Sequence, residues 1–325
     1  MVIRPDTQQQ DDVHSTNSPN ASTPWCCAGS CETTSVTNGR IAYQGEPGSN
    51  SHIVCSDKYP GWEAQPCASF EDVFDALEDA DADLALIPID NTLAGRVADI
   101  HHLLPGSDFH IVGEHFLRIR FHLMAPEGAT LGTVRSVRSH LHALGQCRRI
   151  IRSHNLVPMI AADTAGAARE VAQAADVTQA AIAPPLAAEI YGLTVLASDI
   201  EDEAHNTTRF VTLSREFTQA PPGLGPVITS LIFNVRNLPA ALYKALGGFA
   251  TNGVNMIKLE SYMVDGHFAS TQFLAEVEGH PEDQGLKRAL EELRFFTTDV
   301  KLLGVYPADP FRAGTMSQAL SDTRS

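Results

Sequence analysis

From Glu203 to Val211 the chain reads Glu-Ala-His-Asn-Thr-Thr-Arg-Phe-Val, and Thr207, Thr208 and Arg209 stand just ahead of the largely apolar run Phe210–Leu213. A strand that only had to be buried would carry neither hydroxyls nor a fixed charge at its mouth. A threonine hydroxyl aimed at a departing oxygen gives a hydrogen bond that strengthens as negative charge develops there. It is a poor acid, so it orients and stabilises rather than surrendering a proton. An arginine fork matches a carboxylate through two parallel hydrogen bonds. Arg209 could equally be a buried partner for Asp202 or Glu201, and both readings stand at this point.

Four other points place hydroxyl or amide groups where a strand gives way to a helix: Ser49, Asn91-Thr92, Ser139 and Thr164. Helix N-termini offer free backbone N–H groups and a partial positive charge, and ligands of α/β sheets bind outside the carboxyl ends of strands. Several such ends converging would bind an anion without many lysines. Each residue alone is also an ordinary N-cap, so the set points to a ligand and no single member does. His140, beside Ser139, is either a general base or a capping neighbour.

That distinction matters because the 325-residue chain has 23 Lys and Arg against 39 Asp and Glu, a net charge of −16. No basic face or run exists to neutralise phosphates, so nucleic-acid binding is not expected. An anionic ligand would need a local positive potential to overcome the overall repulsion. The length implies about two domains, and 43% apolar residues suffice for a buried core. No apolar window approaches the length of a membrane span, and the N-terminal residues lack a signal-peptide core, so the expected place is the cytoplasm. Of the six cysteines, Cys26, Cys27 and Cys31 cluster in a polar stretch with no second pair at zinc spacing. They read as free thiols in a flexible arm, and no metal site is expected.

Residues 1–38 read as a disordered arm. Arg40–Tyr43 reads as a strand and Leu84–Ile89 as a buried one, with a capping box at Ser69 and Asp72 opening a helix between them. Val134–Val137, Met159–Ala162 and Ala180–Ala183 read as further strands. Helices are expected from Ser139 through Ile151, from Asp163-Thr164, and over Leu186–Tyr191. This alternation implies an α/β fold with a mostly parallel sheet. Residues 217–226 read as a Pro/Gly linker. Beyond it, 227–308 reads β-α-β-β-α-β, a ferredoxin-like unit, and 309–325 as a polar tail.

The chain from Ile41 to about Tyr306 resembles a bacterial prephenate dehydratase with a C-terminal ACT regulatory domain. The carrying motifs are Ala42-Tyr43-Gln44-Gly45 with Gly48-Ser49, Pro88-Ile89-Asp90-Asn91-Thr92-Leu93-Ala94-Gly95, Ser139-His140 with Gln146-Cys147, Asp163-Thr164-Ala165, Tyr191-Gly192-Leu193, and Asn206-Thr207-Thr208-Arg209-Phe210. Asn237-Leu238-Pro239, Gly253-Val254-Asn255, Glu260-Ser261 and Leu303-Gly304-Val305-Tyr306-Pro307 carry it in the second unit.

The resemblance implies a catalytic domain over 39–216 with two lobes, similar to periplasmic binding proteins: one over about 40–122 plus 195–215, the other over about 123–194. It implies loss of CO₂ and water from prephenate to give phenylpyruvate, with no cofactor and no metal. By the same resemblance Thr208 is the catalytic donor, and Ser49, Asn91, Thr92, Ser139, Thr164, Thr207, Arg209 and Phe210 bind substrate. Phenylalanine is the implied effector, held by Asn237, Pro239, Ala240, Ala241, Leu242, Asn255, Glu260 and Ser261 in a homodimer or dimer of dimers.

There are departures. Asp90-Asn91-Thr92 replaces the common Glu-Asn-Ser, Phe121 stands where relatives often have histidine, and Ala240-Ala241-Leu242 and Glu260-Ser261-Tyr262-Met263 replace Gly-Ala-Leu and Glu-Ser-Arg-Pro. A lost glycine narrows the approach of backbone to ligand. Arogenate as substrate, and a non-catalytic amino-acid sensor on the same fold, are the rival readings.

Overall fold

The computed structural model describes residues 39–97, 100–223, 225–236, 238–263 and 270–314. The expected disordered arm with Cys26, Cys27 and Cys31, the expected effector residue Asn237, and the polar tail from 315 lie outside the described residues. Three sheets organise the others.

The chain first lays down β1 (Arg40–Gln44), α1 (Asn50–Lys58), β2 (Glu63–Cys67), α2 (Phe70–Glu78), β3 (Leu84–Asn91), β4 (Gly95–Arg96), α3 (Ile100–Gly106) and β5 (His110–Arg118). It then crosses to a second sheet with β6 (His122–Ala125), β7 (Ser136–Ser139), α4 (Leu141–Gln146), α5 (Arg148–Ser153), β8 (Val157–Ile160), α6 (Thr164–Ala174), β9 (Gln179–Ala183), α7 (Pro185–Tyr191) and β10 (Thr194–Ala197). A return crossing brings β11 (Thr207–Ser214) back into the first sheet, whose order is β2-β1-β3-β11-β5 with β4 against β3. The second sheet runs β10-β6-β9-β7-β8.

The expectation of a mostly parallel sheet is corrected: both sheets are mixed. In each, one strand opposes both neighbours, β11 in the first and β6 in the second. Both reversed strands follow a crossing between sheets rather than the helical crossover that parallel neighbours require. The expected return near 195 also shifts, because Thr194–Ala197 still pairs with β6.

Local chemistry explains the helix limits. Ser69 and Asp72 form the expected reciprocal capping box at α2. The single helix expected from Ser139 is two. Ser139 ends β7, His140 caps α4, and Cys147 leaves helical geometry at φ −126°. A new start is then stabilised because Asp202 accepts from the Arg148 and Arg149 amides at 2.8 and 3.2 Å.

The third sheet comprises β12 (Val227–Val235), α8 (Ala241–Thr251), β13 (Met256–Met263), β14 (Ser270–Glu278), α9 (Gln284–Phe296) and β15 (Thr297–Pro307). It is antiparallel in the order β13-β14-β12-β15, the expected βαββαβ arrangement. Leu231, Phe233 and Val235 of β12 face Phe249, Leu286 and Leu293 of its two helices. The alternate residues Ile228 and Ile232 join Ile111, Val211 and Leu213 of the first sheet in one core. The third sheet is thus buried on both faces and shares a core with the first. Gly304 lets them meet: a Cβ there would stand 2.0 Å from the Ile111 carbonyl oxygen. Among the described residues, no helix is long and apolar enough to cross a membrane.

Candidate active site

Strand β11 has two faces with different chemistry, as a period of two requires. Thr208 lies opposite Asn91 of β3, and Arg209 lies opposite Asp90. On the first face Asn91 Nδ2 donates to Thr208 Oγ1 at 2.9 Å, to Asn206 Oδ1 at 2.8 Å and to the Thr207 carbonyl at 3.3 Å. The Asn91 Oδ1 accepts from the Leu93 and Ala94 amides at 2.9 and 2.8 Å. Asn206 Nδ2 in turn donates to Gln146 Oε1 of α4 at 2.7 Å. Because the Thr208 oxygen already accepts, its own O–H proton is available to donate into the cleft.

The cleft lies between the first and second sheets. Gln44, Ser49, Asn50, Asn91, Asp163, Thr164, Thr208 and Phe210 line a cavity of about 380 Å³. A smaller one of about 160 Å³ adjoins it, with Asn50, Asn91, His140, Thr164 and Thr208 common to both. No lysine or arginine lines either cavity among the described residues. Two helix N-termini open onto it instead. Ser49 caps α1 by accepting from the His52 amide at 3.3 Å, and Asp163 caps α6 by accepting from Gly166 at 2.7 Å. Asp163 brings a negative charge to its own helix end, so the neutral cap of α1 leaves the better anion site.

His140 Nδ1 accepts from the His142 amide at 3.3 Å, which places the proton of the neutral ring on Nε2. Burial, and then the neighbouring His142, hold its pKa below the ordinary value, so the ring is neutral at physiological pH. A base at Nδ1 is therefore not on offer; the ring supplies a donor.

The second face of β11 is an ion cluster. Arg209 Nε donates to Glu114 of β5 at 2.8 Å, and its two terminal nitrogens grip Glu276 of β14 at 2.7 and 3.0 Å. The Tyr306 hydroxyl accepts from the same guanidinium at 3.0 Å. Arg312 holds both oxygens of Glu114 at 2.6 and 2.7 Å. Burial would raise the Glu114 pKa, but the hydrogen bonds and charges of Arg312 and Arg209 outweigh it and hold it low. Lys258 of β13 bonds Asp90, whose other oxygen lies 3.5 Å from Arg209.

Several sequence expectations are corrected here. Arg209 is the buried partner, but of Glu114 and Glu276; Glu201 and Asp202 belong to Arg118 and Arg149. Its fork has no face left for a substrate carboxylate. Thr207 shares its side of the strand, and Thr92 accepts from the Thr207 amide at 2.9 Å while donating to the His205 carbonyl. Ser139 is fully buried and donates to the Ile182 carbonyl at 2.6 Å. Thr207, Thr92 and Ser139 therefore shape the cleft from outside it. Ser49, Asn91, Thr164, Thr208 and Phe210 do line it.

The expected effector residues lie at two elements of the unit built on the third sheet. Pro239, Ala240, Ala241 and Leu242 lie at the start of α8, whereas Glu260 turns to Arg96 of the first sheet at 3.5 Å and Asn255 is bonded to Glu278 at 2.9 Å. Ser261, next along β13 from Glu260, points to the other face of the strand. Segment 309–314, read as polar tail, instead docks on β5: Phe311 stacks on Phe116 with centroids 4.8 Å apart.

Sequence reasoning missed the roles of Asn206, Gln146, Glu114, Glu276 and Lys258. The signal for two of them was present. Glu114 and Glu276 are carboxylates inside apolar strands, and a buried carboxylate requires a cation.

The geometry now has counterparts among known proteins. The family model for prephenate dehydratase matches residues 41–218. The chain belongs to the prephenate dehydratase family. It is accordingly a carbon–oxygen lyase of aromatic amino-acid biosynthesis. A bifunctional N-acyl-homoserine lactone acylase/prephenate dehydratase of Komagataeibacter europaeus is 50% identical over 273 residues, covering 84% of this chain and 97% of that one. Arogenate dehydratase/prephenate dehydratase 2 of Arabidopsis thaliana, a chloroplast protein, is 37% identical, with 85% of this chain and 76% of the relative covered. The prephenate dehydratase of Arthrobacter aurescens, solved in complex with L-Phe, superposes with a TM-score of 0.75 at 26% identity, covering 88% of this chain and all of that one.

Proposed function

We propose that the cleft between the first two sheets carries the dehydratase reaction, with Thr208 as the donor to the departing hydroxyl. Prephenate loses its ring carboxylate as CO₂ while the electron pair expels the ring hydroxyl, which takes a proton from solvent to leave as water, giving phenylpyruvate. Aromatisation supplies the driving force, so the protein has to hold two carboxylates and stabilise a leaving oxygen. The observation that carries the reading is the Asn91–Thr208 hydrogen bond, which commits the threonine oxygen as acceptor and leaves its proton to donate. Asn206 and Gln146 hold Asn91 in turn. The α1 N-terminus at Ser49 and the neutral donors Asn50, Thr164 and His140 receive the carboxylates, which a strongly anionic chain could not otherwise attract.

Residues 39–216 form the two-lobed catalytic domain on this reading, similar to periplasmic binding proteins, and 227–308 an ACT domain that binds L-phenylalanine between two copies of the chain. At the start of α8, Ala240 stands at φ +60°, where glycine is at ease and alanine is strained by about 1 kcal/mol. The test is phenylpyruvate formation by the full chain on prephenate and on arogenate, each with and without L-phenylalanine. Prephenate turnover, slowed by the amino acid, is the expected result. Turnover on arogenate alone would replace the substrate, and none on either would remove the reading.

A second activity is favoured by a groove beside the cleft. A cavity of about 1110 Å³ runs between α4 and β8, walled by Leu93, Leu141, Leu144, Ile151, Pro158 and Ile160 together with the charged Arg148, Arg152, Asp202 and Glu203. It shares Ala94, His142 and Gln146 with the smaller cleft cavity. An acyl chain would bury there while its polar head reached the cleft. The Komagataeibacter europaeus relative is named for N-acyl-homoserine lactone acylase as well as dehydratase, and this chain would act likewise. Water would add to the acyl carbon and the C–N bond would break, giving a fatty acid and the free amine. Mass spectrometry after incubation with N-octanoyl-homoserine lactone should find octanoate. None above an enzyme-free control removes this second activity and leaves the first.

A further inference from the structure

We infer that Lys258, on the third sheet, is a positioning residue for the cleft donors Asn91 and Thr208, acting through Asp90 and Arg209. The inference rests on the dehydratase reading for what those donors do.

Asp90 immediately precedes Asn91 in β3, Arg209 immediately follows Thr208 in β11, and the two pairs lie opposite one another in register. Adjacent residues of a strand point to opposite faces, so the donors face the cleft while Asp90 and Arg209 face the third sheet. There Lys258 bonds one Asp90 oxygen and Arg209 approaches the other at 3.5 Å. Glu276, from the neighbouring β14, holds Arg209 by two bonds. Both donors are thereby fixed from behind by charges of another sheet. Consecutive Cα atoms are only about 3.8 Å apart, so movement of Asp90 or Arg209 passes to its neighbour without a lever arm.

A cavity of about 370 Å³, lined by Asp90, Arg209, Lys258 and Glu276 among others, leaves room for such movement. Lys258 is largely shielded from solvent, its side chain 10% exposed, while Asp90 is 32% exposed, so the contact is partly screened by salt. A shielded ion pair adds little net stability over an apolar pair of the same size. What it does supply is a defined geometry. Misplacing a reacting group by about 1 Å lowers a rate by up to about a hundredfold.

The experiment uses the full chain with Lys258→Met and Lys258→Arg. Expected for Lys258→Met is a kcat about tenfold or more below wild type with KM within about twofold, the signature of an interaction felt only in the transition state. Lys258→Arg keeps the charge and should recover most of kcat. Amide hydrogen exchange in segments 88–92 and 207–210 should be faster in Lys258→Met and close to wild type in Lys258→Arg. Exchange needs no turnover: an inactive wild type would remove the dehydratase reading while exchange still decided this one. Unchanged exchange in both segments overturns the inference, as does a kcat loss that arginine at 258 fails to recover.

Discussion

Replacing Thr208 by valine is expected to lower kcat for prephenate by about a hundredfold or more, the scale of one lost transition-state donor. Valine keeps the shape of the side chain and removes only the hydroxyl. The threonine oxygen accepts from Asn91 at 2.9 Å, so its proton is the part that reaches the substrate. In the ground state that proton meets a neutral hydroxyl; in the transition state it meets a departing one that is gaining charge. The interaction is therefore worth most where the rate is decided, and KM should change little.

Folding should suffer much less. Asn91 Nδ2 keeps Asn206 and the Thr207 carbonyl as acceptors, so the variant loses one net hydrogen bond, about 1 kcal/mol. Thr208→Ser restores the hydroxyl and should return most of kcat, with a small loss from the missing methyl. Steady-state kinetics beside a thermal unfolding curve separate the two effects. A valine variant within about twofold of wild-type kcat would remove Thr208 from its role. It would leave the family reaction to another donor in the same cleft, with His140 Nε2 the first to examine.

The residues that make local signals were the legible ones. Ser69 and Asp72 announced a capping box, and Asp163-Thr164 announced a helix start, because capping depends on residues three apart in sequence. The βαββαβ order followed from periodicity alone. What periodicity could not supply was which strand neighbours which. The antiparallel insertion of β11 between β3 and β5 sets Thr208 against Asn91 across 117 residues of chain, and it is invisible in any window. The fate of Arg209 was undecidable for the same reason. Glu201 and Asp202 were nearest in sequence, but the strand's alternation turns Arg209 away from them toward Glu114 and Glu276. Ser139 and Thr92 looked like ligand donors because capping and ligand binding draw on the same residue types. Only the carbonyls that they already bond, Ile182 and His205, distinguish the two uses.

The arginine that sequence left undecided gives the second large effect. Arg209→Met should destabilise the chain by about 3–5 kcal/mol, because it breaks a buried network, leaving Glu276 with only Arg312 as cation, at 3.9 Å, and Glu114 with one of its two cations. On the order of 10 °C should be lost from the unfolding midpoint at neutral pH. Glu276 loses both bonds from the guanidinium, and Glu114 keeps Arg312 and the Asp309 amide. The dependence on pH has a definite sign. Burial pulls the Glu114 pKa up, yet Arg312 and Arg209 hold it below the ordinary carboxylate value. A carboxylate depressed by folding stabilises the native state above its unfolded pKa, and that stability is lost as pH falls through the lower folded value. Removing Arg209 takes away one of the depressing charges, so the folded pKa moves back toward the unfolded one and the variant has less stability to lose as pH falls. The gap between wild type and variant should be widest near neutrality and narrow below about pH 4, as the Glu114 carboxylate takes up its proton. Thermal unfolding followed by circular dichroism across that range measures both features. A substrate-binding Arg209 predicts the opposite pattern: KM for prephenate would climb steeply while the unfolding midpoint stayed with wild type at every pH. That result would move the guanidinium from the back of β11 into the cleft and would break the link drawn here between the third sheet and Thr208.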